Sequence, residues 1–128
     1  MRPKEHSGRA LAYLGDAVWS LKIRRKLIEM GYGGGKQLQS LTVKRVSAKA
    51  QAMFYDAMHE EGFLTEEEEA MFHRGRNDNA GTVPRNTDVQ TYRKSTGFEA
   101  VLGYLQLLDR EERIDEIVEK AFALSDIL

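Results

Sequence analysis

Cysteine is absent from the 128-residue chain. That excludes disulfides and thiolate-bound metals, and it accords with a reducing compartment. No apolar run is long enough to span a membrane. Met1–Ser7 holds no apolar stretch of the kind a secretion signal needs. The expectation is a cytoplasmic protein without membrane contact. Strand-like alternation, internal repeats and low-complexity segments are also missing. Histidine is scarce: His6, His59 and His73 are scattered and make no metal-ligand spacing. No Ser-His-Asp or Cys-His arrangement offers a nucleophile. Net charge is only −1, so no general basicity advertises nucleic acid.

What is present is an ordinary globular composition, 41% hydrophobic and 30% charged. The length suffices for one domain with a proper core. Two stretches stand out. Ala10–Leu21 has helical apolar spacing, with Leu11, Leu14, Val18 and Leu21 on one face and Ala12, Trp19 and Ile23 on the other. Such a pattern predicts a helix buried all round, yet Asp16 sits in its middle. Gly15 beside it weakens the helix and suits close approach by another backbone or a ligand. Thr96–Leu108 repeats the design, with Glu99 as its only charge and Gly97 and Gly103 nearby. An ionised carboxylate is almost never buried unless it is paired or binds a metal. Neither acid has a basic residue within a turn. If the two helices pack together, the acids converge and suit a hard divalent cation such as Mg²⁺. Outward-pointing acids, or acids paired with a distant Arg, fit the same spacing.

The remaining pattern is all-α. Ser7 caps a first helix that runs to about Met30 and is ended by Gly31. Tyr32–Lys36 reads as a connector. A short helix is expected over Gln37–Leu41 and a longer one over about Lys44–Glu61, ended by Gly62. The buried stripe of that longer helix is Val46, Ala50, Met53, Phe54 and Ala57. Thr65–Glu68 forms a capping box, which explains the Glu run better than a metal cluster does. That helix ends near Arg74–Arg76. Asn77–Thr87 reads as an exposed loop. Asp88–Lys94 begins another helix, either broken from or continuous with Thr96–Leu108, and Ser95 leaves the choice open. An amphipathic helix over about Arg110–Leu124 completes the chain.

Charge is unevenly spread. Asp56–Glu69 has seven acids and no Lys or Arg, whereas Arg74, Arg76, Arg85, Arg93 and Lys94 face only Asp78 and Asp88. Lys36, Lys44, Arg45 and Lys49 lie in a stretch with no acid. Local basic zones of this kind can bind phosphates on one face, although solvated helix faces look the same.

The stretch Leu11-Ala12-Tyr13-Leu14-Gly15-Asp16-Ala17-Val18 resembles the signature of the ribonuclease III family. Phe98-Glu99-Ala100-Val101-Leu102-Gly103 resembles the family's second catalytic helix. Arg74-Gly75-Arg76-Asn77 and Asn86–Arg93 are similar to its short bacterial Mini-III group, which lacks a double-stranded-RNA-binding domain. The resemblance covers nearly the whole chain.

It implies one ribonuclease III-like catalytic domain over residues 1–128, with no separate RNA-binding domain. The implied activity is Mg²⁺-dependent cleavage of double-stranded RNA, with Mn²⁺ able to substitute, giving 5′-phosphate and 3′-hydroxyl ends. The substrate implied is the 23S ribosomal RNA precursor, trimmed at its ends. Asp16 and Glu99 would be the catalytic and metal-binding residues. Arg74, Arg76, Asn77, Arg85, Asn86, Arg93 and Lys94 would bind RNA, with Lys44, Arg45 and Lys49 extending that surface. A homodimer is implied, with Tyr13 at the aromatic position that enters the partner's pocket. Longer family members carry further acids where this chain has Ala12 and Thr96. Those two losses make a double-stranded-RNA-binding protein with a decayed active site the alternative reading.

Overall fold

The structure is a computed structural model, and it describes residues 1–78, 83, 85 and 87–125. Among the described residues there are six α-helices and no strand. They are α1 (Gly8–Glu29), α2 (Gly35–Val46), α3 (Ala48–Glu60), α4 (Glu66–Asn77), α5 (Val89–Leu107) and α6 (Glu111–Ser125), after a short 3-10 turn at Pro3–Glu5.

Local chemistry sets the helix starts. The Ser7 side chain accepts from the Ala10 amide at the head of α1. Ser47 does the same for Ala50 in α3, and Asp88 for Thr91 in α5. Thr65 and Glu68 form the reciprocal capping box of α4. Each such cap satisfies an amide that has no partner within the helix.

Two boundaries differ from expectation. The chain turns at Ser47, not around Thr42 and Val43, so α2 is longer and starts within the glycine connector. Ser47 wins because its extended backbone (ψ 155°) and its hydroxyl make it both the last stop of α2 and the first cap of α3. Asp88 opens one continuous helix through Ser95, whose hydroxyl donates back to the Tyr92 carbonyl. Of the loop expected over 77–87, Asn77 closes α4. Residues 79–82, 84 and 86 lie outside the described residues.

The core is organised around α1 crossing α5, with α3 and α4 packed on α5 and with α2 and α6 outside. Trp19 meets Phe98 edge-on, with ring centroids 4.9 Å apart, and donates its indole N–H to the Arg45 carbonyl at 2.8 Å. Phe54, Phe72, Met58, Leu102, Leu105 and Ile114 are buried around them. Each such side chain contributes about 1.5–3 kcal/mol by leaving water.

Three expectations about burial are corrected. Helix α1 is not buried all round: Tyr13 and Leu21 are exposed at 86% and 65%, and Ile28 follows them on the same open side. Met53 is exposed too, because α3 turns Gln51, Phe54, Tyr55 and Met58 inward instead. Arg45 is buried, not part of a basic surface. Its guanidinium lies over the Phe122 ring and donates to the Leu41 carbonyl and the Ser125 hydroxyl.

Candidate active site

Gly15 and Gly103 let α1 and α5 touch backbone to backbone. A Cβ at Gly15 would overlap the Glu99 carbonyl, and one at Gly103 would overlap the Leu11 carbonyl. This contact brings Asp16 and Glu99 together, one from the middle of each helix. Asp16 is exposed at the rim and Glu99 is half-buried behind it.

Burial pushes the Glu99 carboxyl up to about 8, and a hydrogen bond that its protonated form donates to Asp16, with that residue's charge, pushes in the same direction. The Gln51 amide opposes them. Two carboxylates in contact cannot both ionise without penalty, so near neutral pH the pair holds a proton between them. A divalent cation can take the place of that proton.

Gln51 belongs to this site, and sequence reasoning passed over it. It lies in the first turn of α3 and is 2% exposed. Its Nε2 donates to Glu99 Oε2 at 3.3 Å and to the Val46 carbonyl at 3.0 Å. Its Oε1 is buried with no partner. The available signal was one amide at helical spacing from Phe54, Tyr55 and Met58, on a face otherwise apolar.

The donor set fits a hard cation: two carboxylates converge, and the amide touching Glu99 carries a free oxygen. Among the described residues no group of three Asp, Glu, His or Cys side chains could hold a metal. Ala12 and Thr96 lie on the same two helices, one turn before Asp16 and three residues before Glu99. A cation held by two acids completes its shell with water and substrate oxygens.

The α4 end packs on α5, with Gly75 against Thr96, Gly97 and Ala100, which flank Glu99. Arg74 and Arg76 bracket that contact. Arg74 donates to the backbone carbonyls of Lys4 and His6, the latter at 3.3 Å, and so ties down the N-terminal segment. Arg76 donates to the Asn77 side chain at 3.3 Å. Lys94 pairs with Asp56 at 2.9 Å, and Arg85 and Arg93 are exposed. Asn86 lies outside the described residues.

The Glu run faces other partners. Glu67 meets Arg110 at 2.7 Å, Glu68 meets Arg113 at 2.8 Å, and Glu69 accepts from the Tyr55 hydroxyl at 2.7 Å. Its function is capping and bracing.

Comparison with known proteins shows the family. A Ribonuclease III domain matches residues 9–110. The Mini-ribonuclease 3 of Streptococcus pneumoniae is 51% identical over 112 residues, 88% of each chain. That of Enterococcus faecalis is 45% identical over 115 residues, 90% of this chain and 87% of the relative. A crystal structure of a Fusobacterium nucleatum protein superposes with a TM-score of 0.81 at 35% identity, covering 91% of this chain and 93% of that one. No helix among the described residues is long and apolar enough to cross a membrane. A domain match spanning most of the chain, and relatives this similar over nearly their whole length, place the chain in the ribonuclease III family, beside the Mini-ribonuclease 3 proteins, as an endoribonuclease.

Proposed function

We propose that the chain is a Mg²⁺-dependent endoribonuclease that cleaves double-stranded RNA, with Asp16 and Glu99 as its catalytic, metal-binding residues. The observation that carries this is the convergence of two acids, one of them proton-holding, where α1 crosses α5. The family generally depends on a divalent metal and acts on double-stranded RNA. A bound Mg²⁺, or Mn²⁺ in its place, would supply a nucleophilic water and neutralise phosphate charge.

The chain's own residues do the rest. Asp16 and Glu99 hold the cation and Gln51 holds Glu99. Products would carry 5′-phosphate and 3′-hydroxyl ends. A duplex is read through phosphates and 2′-hydroxyls, which calls for exposed cations and not stacking rings. Arg74, Arg76, Asn77, Arg85, Asn86, Arg93 and Lys94 are the residues proposed for that surface.

The exposed stripe of Tyr13, Leu21 and Ile28 supports a homodimer, with Tyr13 as the anchor. Two-fold symmetry would present one acid pair to each strand. The similarity to Mini-ribonuclease 3 proteins supports maturation of the 23S ribosomal RNA precursor, in the cytoplasm, as the setting.

The test is incubation with long double-stranded, single-stranded and hybrid substrates, with Mg²⁺ or with chelator. Cleavage confined to duplex RNA and abolished by chelator is expected. Tight duplex binding without cleavage would instead identify an RNA-binding protein with a decayed site.

A further inference from the structure

The amide of Gln51 has two N–H donors, and both are committed. One goes to the Val46 carbonyl, at the C-terminal end of α2, and the other to Glu99 Oε2. Turning the amide over would set its oxygen against two acceptors, so its orientation is fixed by its partners. The consequence is a buried carbonyl oxygen with no partner. An unsatisfied buried acceptor destabilises the fold. A Leu or Met at this place would fill the same apolar face without that penalty. Buried polar groups that break the local rule in this way concentrate at functional sites.

We propose that Gln51 is the positioning residue of the acid pair: its buried amide binds one oxygen of Glu99 and so fixes the carboxylate beside Asp16 in the orientation that receives a divalent cation. The donor reaches Glu99 from α3, a third helix. It favours the ionised carboxylate, the form a metal needs. Partners of this kind behind metal ligands typically affect metal affinity by about 10–100-fold. This role rests on the reading of Asp16 and Glu99 as metal ligands.

Mn²⁺ binding to the full chain, read by electron paramagnetic resonance of the free ion, tests it with three proteins: the parent, Gln51→Met and Glu99→Gln. Gln51→Met should weaken Mn²⁺ binding about tenfold, with a melting temperature equal to or above the parent's. Unchanged affinity in Gln51→Met, with affinity lost in Glu99→Gln, would overturn the role of Gln51 and leave the metal site standing. A lowered melting temperature with unchanged affinity would make Gln51 a brace between α2 and α3 and nothing more. Unchanged affinity in Glu99→Gln would overturn the metal site, and this role with it. A second measurement needs no variant at Gln51. In ¹H–¹⁵N spectra of the parent, the Gln51 side-chain amide pair should shift when Mg²⁺ is added. A pair that stays in place at saturating Mg²⁺ would contradict the proposal.

Discussion

Glu68 and Glu99 are both acids set into helical packing, and the chain treats them in opposite ways. Glu68 is 2% exposed and fully provided for. Arg113 grips it with two N–H groups, each at 2.8 Å, and the Thr65 amide donates to it at 3.0 Å. Glu99 meets another acid and one amide, and no cation among the described residues. Where the acid braces the fold, the chain supplies the positive charge. At the crossing of α1 and α5 it leaves that charge to come from outside. The contrast sets a structural carboxylate apart from the one proposed to hold a cation.

Breaking the first arrangement should have the larger effect on stability. Glu68→Ala strands Arg113 in a half-buried position and removes the capping box. The expected loss is about 3–5 kcal/mol in chemical denaturation, with cleavage per folded molecule retained at low temperature. Breaking the second should act chiefly on activity. Asp16→Asn and Glu99→Gln keep shape and remove charge. Each should lose about a thousandfold in single-turnover cleavage of duplex RNA, or about 4 kcal/mol of barrier, while circular dichroism stays that of the parent.

Acidity sharpens the comparison further. The folded chain holds the Glu99 proton up to about 8, whereas the unfolded chain releases it near 4.5. The folded state therefore binds more protons across that window, and metal-free stability should fall as pH rises through it. Glu99→Gln should remove that fall and melt on the order of 5 °C above the parent at pH 9. Added Mg²⁺ should restore the parent. The smallest expected effect lies at the rim. Arg74→Ala combined with Arg76→Ala should reduce the salt dependence of duplex binding by roughly 0.9 per lost phosphate contact, taking B-DNA as guide. Binding that is unchanged across a salt titration would remove this segment from the RNA surface.

Much of this was legible in the sequence. Caps at Ser7 and Thr65 and the helical spacing of Leu11, Val18 and Ile114 marked most of the helix boundaries. Gly15 and Gly103 foretold a close backbone approach, and a lone acid on each apolar helix foretold the meeting of Asp16 with Glu99. What was not legible depends on tertiary context. Ser47 carries no more local signal than other serines, yet it breaks α2 from α3. Arg45 reads as a surface cation until Phe122 and Ser125 from α6 close over it. Leu21 reads as core because apolar spacing cannot tell a buried face from one kept open. Gln51 reads as a neutral helix residue, and its meaning lies in two acceptors on two other helices.

The central claim is that a divalent cation displaces the proton held between Asp16 and Glu99. Calorimetric titration of Mn²⁺ into the metal-free protein at pH 7, in two buffers of different ionisation enthalpy, tests it directly. With Glu99 still largely protonated at that pH, binding should release close to one proton per site, and Glu99→Gln should bind weakly and release none. Tight binding with no proton release, or equal binding by Glu99→Gln, would contradict the claim.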